Sequence, residues 1–390
     1  MPSDRDRDAF RLRDHEAVDL APIDTRNSLK ILVLLQSDDG DIIDCIDIYK
    51  QPAFNHPALR NHTIQMTPNY SPTMEGRRPS STKGEGGSSV SLTSQLWQRS
   101  GSCPKGTVPI RRIRVGKNLM KEYGRKPSLF SQQFKPLDKQ NHSLAVLVTN
   151  GLRYSGVEGD IEVHNPFVES DDDYSTSRVA LKNGDEAIQF GWAVNPSVYR
   201  DKQTRLFVYW TADSSKTTGC FDLTCAAFVQ TSNKVALGAT IFPVSVPGGK
   251  PYKITPRIFK DSETNNWWVQ LGLIHIGYWP SDLFNNLLHH AETIEWGGEV
   301  YSFKTGTHQP HTTTAMGSGY LPYDASNMSG CVKQMSVAEI NSQKEVYFKR
   351  PDFAYTYVDE YGCYGVFYIG GYAEEPEFYY GGSGKSASCP

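Results

Sequence analysis

The sequence contains no apolar run near the ~18 residues that a membrane-spanning helix needs, which removes the helical membrane class. It also lacks a charge excess of one sign. Forty Lys and Arg stand against forty-three Asp and Glu, a net charge of -3 over 390 residues, so there is no basic field to hold nucleic acid or an acidic membrane surface. There is no CxxC pair and no plausible His set beside a cysteine, which excludes the common zinc sites. GxSxG, HExxH, P-loop and GxGxxG motifs are missing, and no internal repeat is evident. The first residues, MPSDRDRDAFRLRDHE, lack the apolar core of a signal peptide. What remains is a chain with 33 Gly and 23 Pro, a composition that favours turns and short strands.

Residues 1–27 are charged and without period, and are expected to be disordered. From Ser28, SLKILVLLQ and IIDCIDIYK flank an Asp-Gly turn and read as a hairpin, and VPIRRIRV closes this region as another strand. Residues 28–115 are therefore assigned to a smaller α+β domain. Residues 116–143, rich in Lys, Gln and Pro, read as an exposed, cleavable linker. Residues 144–390 are a succession of short apolar and aromatic runs separated by Gly, Pro or Asn, including KVALGATIFPVSV, and are expected to form an antiparallel β-sandwich. Six of the seven tryptophans fall between Trp192 and Trp296, marking its packed centre. In SDLFNNLLHHA, Leu283, Phe284, Leu287, Leu288 and Ala291 recur at helical spacing behind Pro280, so a helix is expected there.

Seven cysteines leave one over after three pairs. Cys220 and Cys225 are spaced for a small loop, Cys363 with Cys389 would tie down the C-terminal end, and Cys45 with Cys103 would then pair in the first domain, leaving Cys331; sequence alone does not fix this connectivity. Sequons at Asn61, Asn69, Asn141 and Asn327 are the expected glycosylation positions and, with the cysteines, favour an extracellular compartment. His289, His290, His308 and His311 read as ordinary polar positions, and Asp171, Asp172 and Asp173 as a solvated loop. No cofactor and no metal are expected.

Two stretches repay a count of alternation, since successive strand residues face opposite sides. In AIQFGWAV, Ile188, Phe190, Trp192 and Val194 share one face, while Gln189, Gly191 and Ala193 share the other. In IEWGGEV, Ile294, Trp296 and Val300 oppose Glu295, Gly297 and Glu299. Each strand thus has a packing face and a face with polar groups among small residues. Such a face fits either a solvated sheet surface or the floor of a cleft.

The blocks IQFGWAVNPSVY, RLFVYWTAD, TGCFDLTCAAFVQ, DSETNNWWVQLG, IGYWPSDLF, IEWGGEVYS and TTTAMGSGY resemble, in order, plant neprosin-domain proteins. DDGDIIDCIDIYKQPAFNHPALRNH and CPKGTVPIRR resemble the activation domain that precedes that domain. The resemblance implies a secreted glutamic peptidase zymogen, prolyl-specific in the carnivorous-plant member that names the family. Its N-terminal domain would block the cleft until removed in acid. It also implies the pairs Cys220–Cys225 and Cys363–Cys389. The family uses two glutamates. The second maps onto Glu299, whereas the first maps onto Gln189, a departure from the family pattern; Glu186 lies on the opposite face, and Glu295 shares the face of Glu299 without matching the motif position. Two readings follow. In one, Glu299 activates water and the Gln189 amide supports the oxyanion, as in the Gln/Glu pair of fungal glutamic peptidases. A Gln there also removes carboxylate–carboxylate coupling. The expected partners are then a peptide or protein substrate, proline-rich ones included, and the chain's own N-terminal domain, with the protein a monomer that binds neither nucleic acid nor membrane. In the other reading catalysis is lost and the groove binds proline-rich or polysaccharide cell-wall ligands, with Tyr209, Trp210, Trp267, Trp268 and Trp279 as candidate stacking rings.

Overall fold

The computed structural model describes residues 31–74, 91–92, 94–113, 141–306, 308–323, 328–340, 347–370 and 375–390. The expected disordered start at 1–27, most of the linker and the sequon at Asn327 lie outside these residues.

In the N-terminal region β1 (Ile31–Gln36) and β2 (Ile42–Asp47) form the hairpin read from the Asp-Gly turn, and β6 (Thr107–Arg111) pairs with β2 to complete a three-stranded sheet. Short strands β3 (Thr73–Met74), β4 (Ser91–Leu92) and β5 (Ser94–Gln95) lie between. The helical elements expected of an α+β domain are, among the described residues, single 3-10 turns at Ile48–Lys50, Pro52–Asn55, Pro57–Leu59 and Leu96–Ser100. Prolines at the first positions of two of them fix φ for a turn but supply no N–H to carry a helix on. Cys45–Cys103, with Cα atoms 5.4 Å apart, ties this region together across 58 residues.

The main domain opens with β7 (His142–Glu162), which starts inside the segment read as linker. This 21-residue strand serves two sheets. Its first half pairs with β18 (Ala291–Tyr301) on one side and β21 (Tyr355–Val358) on the other. Beyond β18 the first sheet continues through β8 (Tyr174–Asn183), β9 (Glu186–Val194), β10 (Arg205–Thr211) and β11 (Cys220–Phe221). The second half of β7 pairs with β14 (Tyr252–Ile254), β15 (Pro256–Lys260) and β19 (Gly330–Glu339). From β15 the second sheet runs through β16 (Trp267–Leu271) and β17 (Ile274–Trp279) to β12 (Val229–Gln230). From β19 it runs to β20 (Tyr347–Lys349) and, on another flank, to β23 (Glu377–Gly381) and β22 (Gly365–Ile369). The main domain is the expected antiparallel all-β architecture, curled around one core.

Alternation explains that core. Inward residues of the first sheet, among them Leu181, Ile188, Phe190, Trp192, Val208, Ile294 and Trp296, meet Ile258, Trp267, Val269, Ile276 and Trp279 of the second. Burying each such side chain contributes roughly 1.5–3 kcal/mol. The two pairs Cys220–Cys225 and Cys363–Cys389 are present, and Cys331 is free and buried.

Two strand and helix expectations are corrected. KVALGATIFPVSV contributes only β13 (Ile241–Phe242), paired with β5. SDLFNNLLHHA is not a helix: a 3-10 turn spans Ser281–Leu283 and the rest is irregular up to β18. Leu283, Phe284, Leu287 and Ala291 do reach the core, as the spacing implied. The backbone, however, bonds to side chains instead of to itself. Glu186 accepts from the N–H groups of Asn285, Asn286 and Leu287, and Trp267 Nε1 donates to the Leu287 carbonyl at 2.9 Å. Tertiary bonding overrides the local period.

The N-terminal region docks on the main domain by strand addition and by packing. β3 pairs parallel with β20 and β4 parallel with β14, the two parallel strand pairs among the described strands. Ala53 and Leu59 cover Val229, Phe259, Trp268, Tyr278, Ala338 and Phe348, on the outer face of the second sheet. Gln51 exchanges two hydrogen bonds with the Gln230 backbone, and Gln95 does the same with Ala236. At one end Asp41 receives Arg205 Nη1 at 2.7 Å and Arg111 Nε at 2.8 Å, all three groups buried or nearly so.

Candidate active site

On β18, Glu295, Gly297 and Glu299 point away from the core, as the alternation requires. The pairing register aligns them with β8 and β9 in three rows. Glu295 stands opposite Ala180 and, one strand on, Gln189; Gly297 opposite Arg178 and then Gly191; Glu299 opposite Thr176 and then Ala193. All nine share one outer face of the first sheet. Strands lie ~4.8 Å apart and rise ~3.3 Å per residue, so Gln189 is ~10 Å from Glu295 by Cα and ~16 Å from Glu299. The register therefore does not bring Gln189 and Glu299 together. It puts Gln189 across the small Ala180 from Glu295, where two long side chains can hold one water between them.

Arg178 organises the face. It is fully buried and flanked on both sides by glycine, which leaves its guanidinium room to lie along the sheet. A Cβ on Gly191 would lie 2.0 Å from the Ser177 carbonyl oxygen, and one on Gly297, at φ +135°, 2.4 Å from that of Ala145. The same Arg178 nitrogen, Nη2, reaches Glu295 at 2.9 Å and Glu299 at 3.0 Å. Lys182 completes the Glu295 site at 2.6 Å. Glu299 has in addition His142 Nδ1 at 2.7 Å and the Tyr174 hydroxyl, donating at 3.0 Å.

These contacts set the charge states. Burial works to raise the Glu295 carboxyl, but Lys182 and Arg178 outweigh it and hold the group below its ordinary range. Burial likewise opposes ionisation of Glu299, and Arg178 and His142 overcome it by a wide margin. Burial and the adjacent Glu299 push the Tyr174 phenol well up, so it remains a donor. Gln189 is half-buried, and among the described residues its amide has no side-chain partner. The arrangement offers a carboxylate held below its ordinary range and, two strands away on the same face, an amide with no side-chain partner among the described residues. Like-charge coupling survives despite Gln189, because Glu299 takes the place of a second carboxylate beside Glu295.

Arg178, Lys182, Tyr174 and His142 were not singled out by sequence. The alternation in YSTSRVALKN, with Tyr174, Thr176, Arg178, Ala180 and Lys182 on one face, is the signal for three of the four; His142 falls in the polar stretch that reads as linker. Glu186 faces the other way, as expected, and caps the 285–287 turn. The five candidate stacking rings, Tyr209, Trp210, Trp267, Trp268 and Trp279, are all buried. Asp173 is not solvated: it accepts from the Thr312 and Thr314 hydroxyls. His311 pairs with Glu360 at 3.2 Å. Asn61 and Asn69 are exposed, the Asn69 amide donating to Glu263 at 2.9 Å, and Asn141 is half-buried.

A model for the neprosin domain matches residues 171–383, and one for the neprosin activation peptide matches residues 34–148. The chain belongs to the neprosin family. The activation region is thus the strand-adding N-terminal segment. Its described contacts include the outer face of the second sheet and Arg205, while the partners of Glu295 and Glu299 lie between residues 142 and 182, of which His142 falls inside the activation-peptide match. The match to an activation peptide supports an intramolecular inhibitory N-terminal region, and its described residues meet the carboxylate face at Arg205, which lies in the row of Glu299, and at His142. Among solved structures, the chain is similar to scytalido-glutamic peptidase with a peptide-based transition state analog, at 11% identity, 63% of this chain, 98% of that chain and a TM-score of 0.34. It is also similar to SCP-B, a member of the Eqolisin family of peptidases in complex with a tripeptide Ala-Ile-His, at 10% identity, 62% and 98% coverage and a TM-score of 0.33. CG-16, a homodimeric agglutinin from chicken liver, matches at 9% identity, 40% and 92% coverage and a TM-score of 0.22. Likeness at this level concerns architecture alone.

Proposed function

We propose that this neprosin-family chain is the zymogen of an acid peptidase whose water is held between Glu295 and Gln189. The observation that carries the reading is the row Glu295–Ala180–Gln189, a carboxylate held below its ordinary range and an amide without a side-chain partner among the described residues, on one sheet face. Glu295 takes a proton from the water as the water oxygen bonds to the carbonyl carbon. The Gln189 N–H supports the oxygen that becomes negative. Glu295 then passes its proton to the amide nitrogen, the C–N bond breaks, and an acid and an amine leave. Lys182 and Arg178 hold the Glu295 carboxyl below its ordinary range and so favour its return to the ionised state after each turnover.

In this reading Glu299, the base expected from the family motif, acts through Arg178 as a positioning residue. Its negative charge raises the Glu295 carboxyl, so Glu299→Gln lowers that group further and moves the acid limb of the pH–rate profile to lower pH. The resemblance adds prolyl bonds as the preferred class of substrate. Three disulfides and the sequons fit secretion into an oxidising, acidic compartment. Incubating the acid-treated protein with proline-containing peptides, beside a Glu295→Gln control, tests the proposal: cleavage by the first and not by the second supports it, and cleavage by both sinks it.

A further inference from the structure

The face that holds Glu295 and Gln189 is unequal at its two ends. Beyond Gln189 the row continues to Tyr209 of β10 and then Phe221 of β11. Both are 5% exposed, and their rings pack 5.0 Å apart. Tyr209 is tied to Ser215, and Asp213 gathers Thr217 and Thr218 into a tight turn beside it. This end is closed.

In the other direction the row passes Val148 of β7 and ends on Tyr355 of β21; the adjacent Arg178 row ends, through Val146, on Tyr357. Opposite residues of antiparallel strands project to the same side, so both tyrosines belong to the face of Glu295. Tyr355 is 38% exposed, Tyr357 46% and neighbouring Phe353 63%. Asn150 donates to the Tyr355 hydroxyl at 3.1 Å, and Phe353 lies 5.9 Å from the Tyr355 ring, so the first tyrosine is held in place. Tyr355, Tyr357 and Phe353 thus set three exposed rings side by side at the β21 edge, a shelf of the kind that marks a binding surface.

We propose that Tyr355 and Tyr357, with Phe353, form a distal subsite that takes a ring-bearing side chain, aromatic or prolyl, of an extended peptide entering over the β21 edge. The inference rests on the peptidase reading for where the reacting bond lies. That bond sits over Ala180, three strands from Tyr355, or ~14 Å at ~4.8 Å per strand. An extended chain covers this in about four residues at ~3.3 Å each. The closed β10–β11 end makes the subsite one-sided: only one end of the substrate reaches it.

The test is a set of peptides with one shared cleavage sequence, lengthened by one to five residues at either end with Phe, Pro or Ala in the added positions. The acid-treated protein is expected to show about a tenfold rise in kcat/KM, carried by KM, when a ring arrives about four residues from the cut on one side only. Ala at that position gives no such rise. In Tyr355→Ala/Tyr357→Ala the ratio of long to short peptide falls to about one, and Tyr355→Phe/Tyr357→Phe retains it. An unchanged length profile in the alanine variant, or equal gains at both ends, overturns the subsite. Binding of the same peptides to the acid-treated Glu295→Gln protein, read by ring fluorescence, separates the subsite from the chemistry. About tenfold tighter binding of the long ring-bearing peptide, abolished in the alanine background, supports the shelf even where nothing is cleaved; equal affinity for long and short peptides rejects it. Sedimentation of the intact protein closes the remaining case: a dimer that the alanine pair converts to monomer assigns the shelf to a second copy of the chain and overturns the proposal.

Discussion

The two outer faces of the sandwich obey the same alternation and are stabilised in opposite ways. The first sheet turns Glu295, Glu299, Arg178 and Lys182 outward, and they satisfy one another within the main domain. The second sheet turns Phe259, Trp268 and Tyr278 outward, where they pack on one another, on neighbouring main-domain residues and under Ala53 and Leu59 of the activation segment. A polar face can close its own account, whereas an apolar one needs a lid. Among the described residues, the apolar docking surface and the carboxylates therefore lie on different sheets, and the activation segment reaches the carboxylate face at its Arg205 end, where Asp41 meets the residue that shares a row with Glu299; substitutions on the second sheet can disturb docking without touching the carboxylates.

The largest effect on the polar face is expected from Arg178→Met. It strips two buried carboxylates of their common cation, and breaking such a pair costs about 3–5 kcal/mol. Thermal unfolding at neutral pH should shift down by several degrees. The loss should shrink in acid, because the depressed carboxyls stabilise the native state above their unfolded range and that contribution disappears as pH falls through their folded values. A loss independent of pH would argue that Arg178 matters for packing alone.

On the apolar face the counterpart is Trp268→Ala, expected to cost about 3–5 kcal/mol through the cavity it leaves. Hydrogen exchange should locate the loosening in residues 52–70 and in β16–β17, with the β8–β9–β18 sheet still protected. Equal loss of protection in both sheets would show that the faces are not separable. A smaller change, Gln51→Ala, leaves the Gln230 N–H and carbonyl without their partners and should cost about 1–3 kcal/mol, read as faster exchange at Gln230.

How much of this was legible in the sequence depended on whether the signal was local. Alternation in 187–194 and 294–300 placed the core side and the polar side of β9 and β18 correctly, because parity is set by the chain itself. Register was not legible. It is fixed by partner strands, and it moved Gln189 from the expected pairing with Glu299 to a position across from Glu295. The helix at 281–291 failed for the same kind of reason: its apolar spacing was real, but the Glu186 carboxylate, nearly a hundred residues earlier, captured the N–H groups that a helix would have used internally. His142 went unnoticed because a polar stretch precedes it, and only the pairing of β7 with β18 brings it to Glu299.

The mildest predicted effect concerns acid loosening of the activation segment. Burial opposes ionisation of Asp41, and Arg205 and Arg111 reverse the balance, so its carboxyl is lowered. Its contribution is present above the ordinary value of 3.8 and fades as pH falls through the lower folded value. His62 acts higher on the scale. Burial lowers the basicity of the His62 ring, whose Nε2 shares a hydrogen bond with the Tyr278 hydroxyl at 2.7 Å, so the docked segment favours the neutral ring. Protonation of the freed ring then weakens docking as pH falls below 6.5. In Asp41→Asn, segment exchange should be faster at neutral pH and its steepening in strong acid reduced; an unaltered profile would remove Asp41 from the acid response.

The central claim is that Glu295, paired with Gln189, is the base. The most direct measurement is the rate of peptide cleavage against pH for the wild-type protein, Glu295→Gln, Glu299→Gln and Gln189→Ala. The expected pattern is a loss of about 10²–10⁴ in kcat for Glu295→Gln and of about 10²–10³ for Gln189→Ala, with Glu299→Gln still active and its acid limb moved to lower pH. Full activity in Glu295→Gln together with an inert Glu299→Gln would contradict the account and return the base to Glu299.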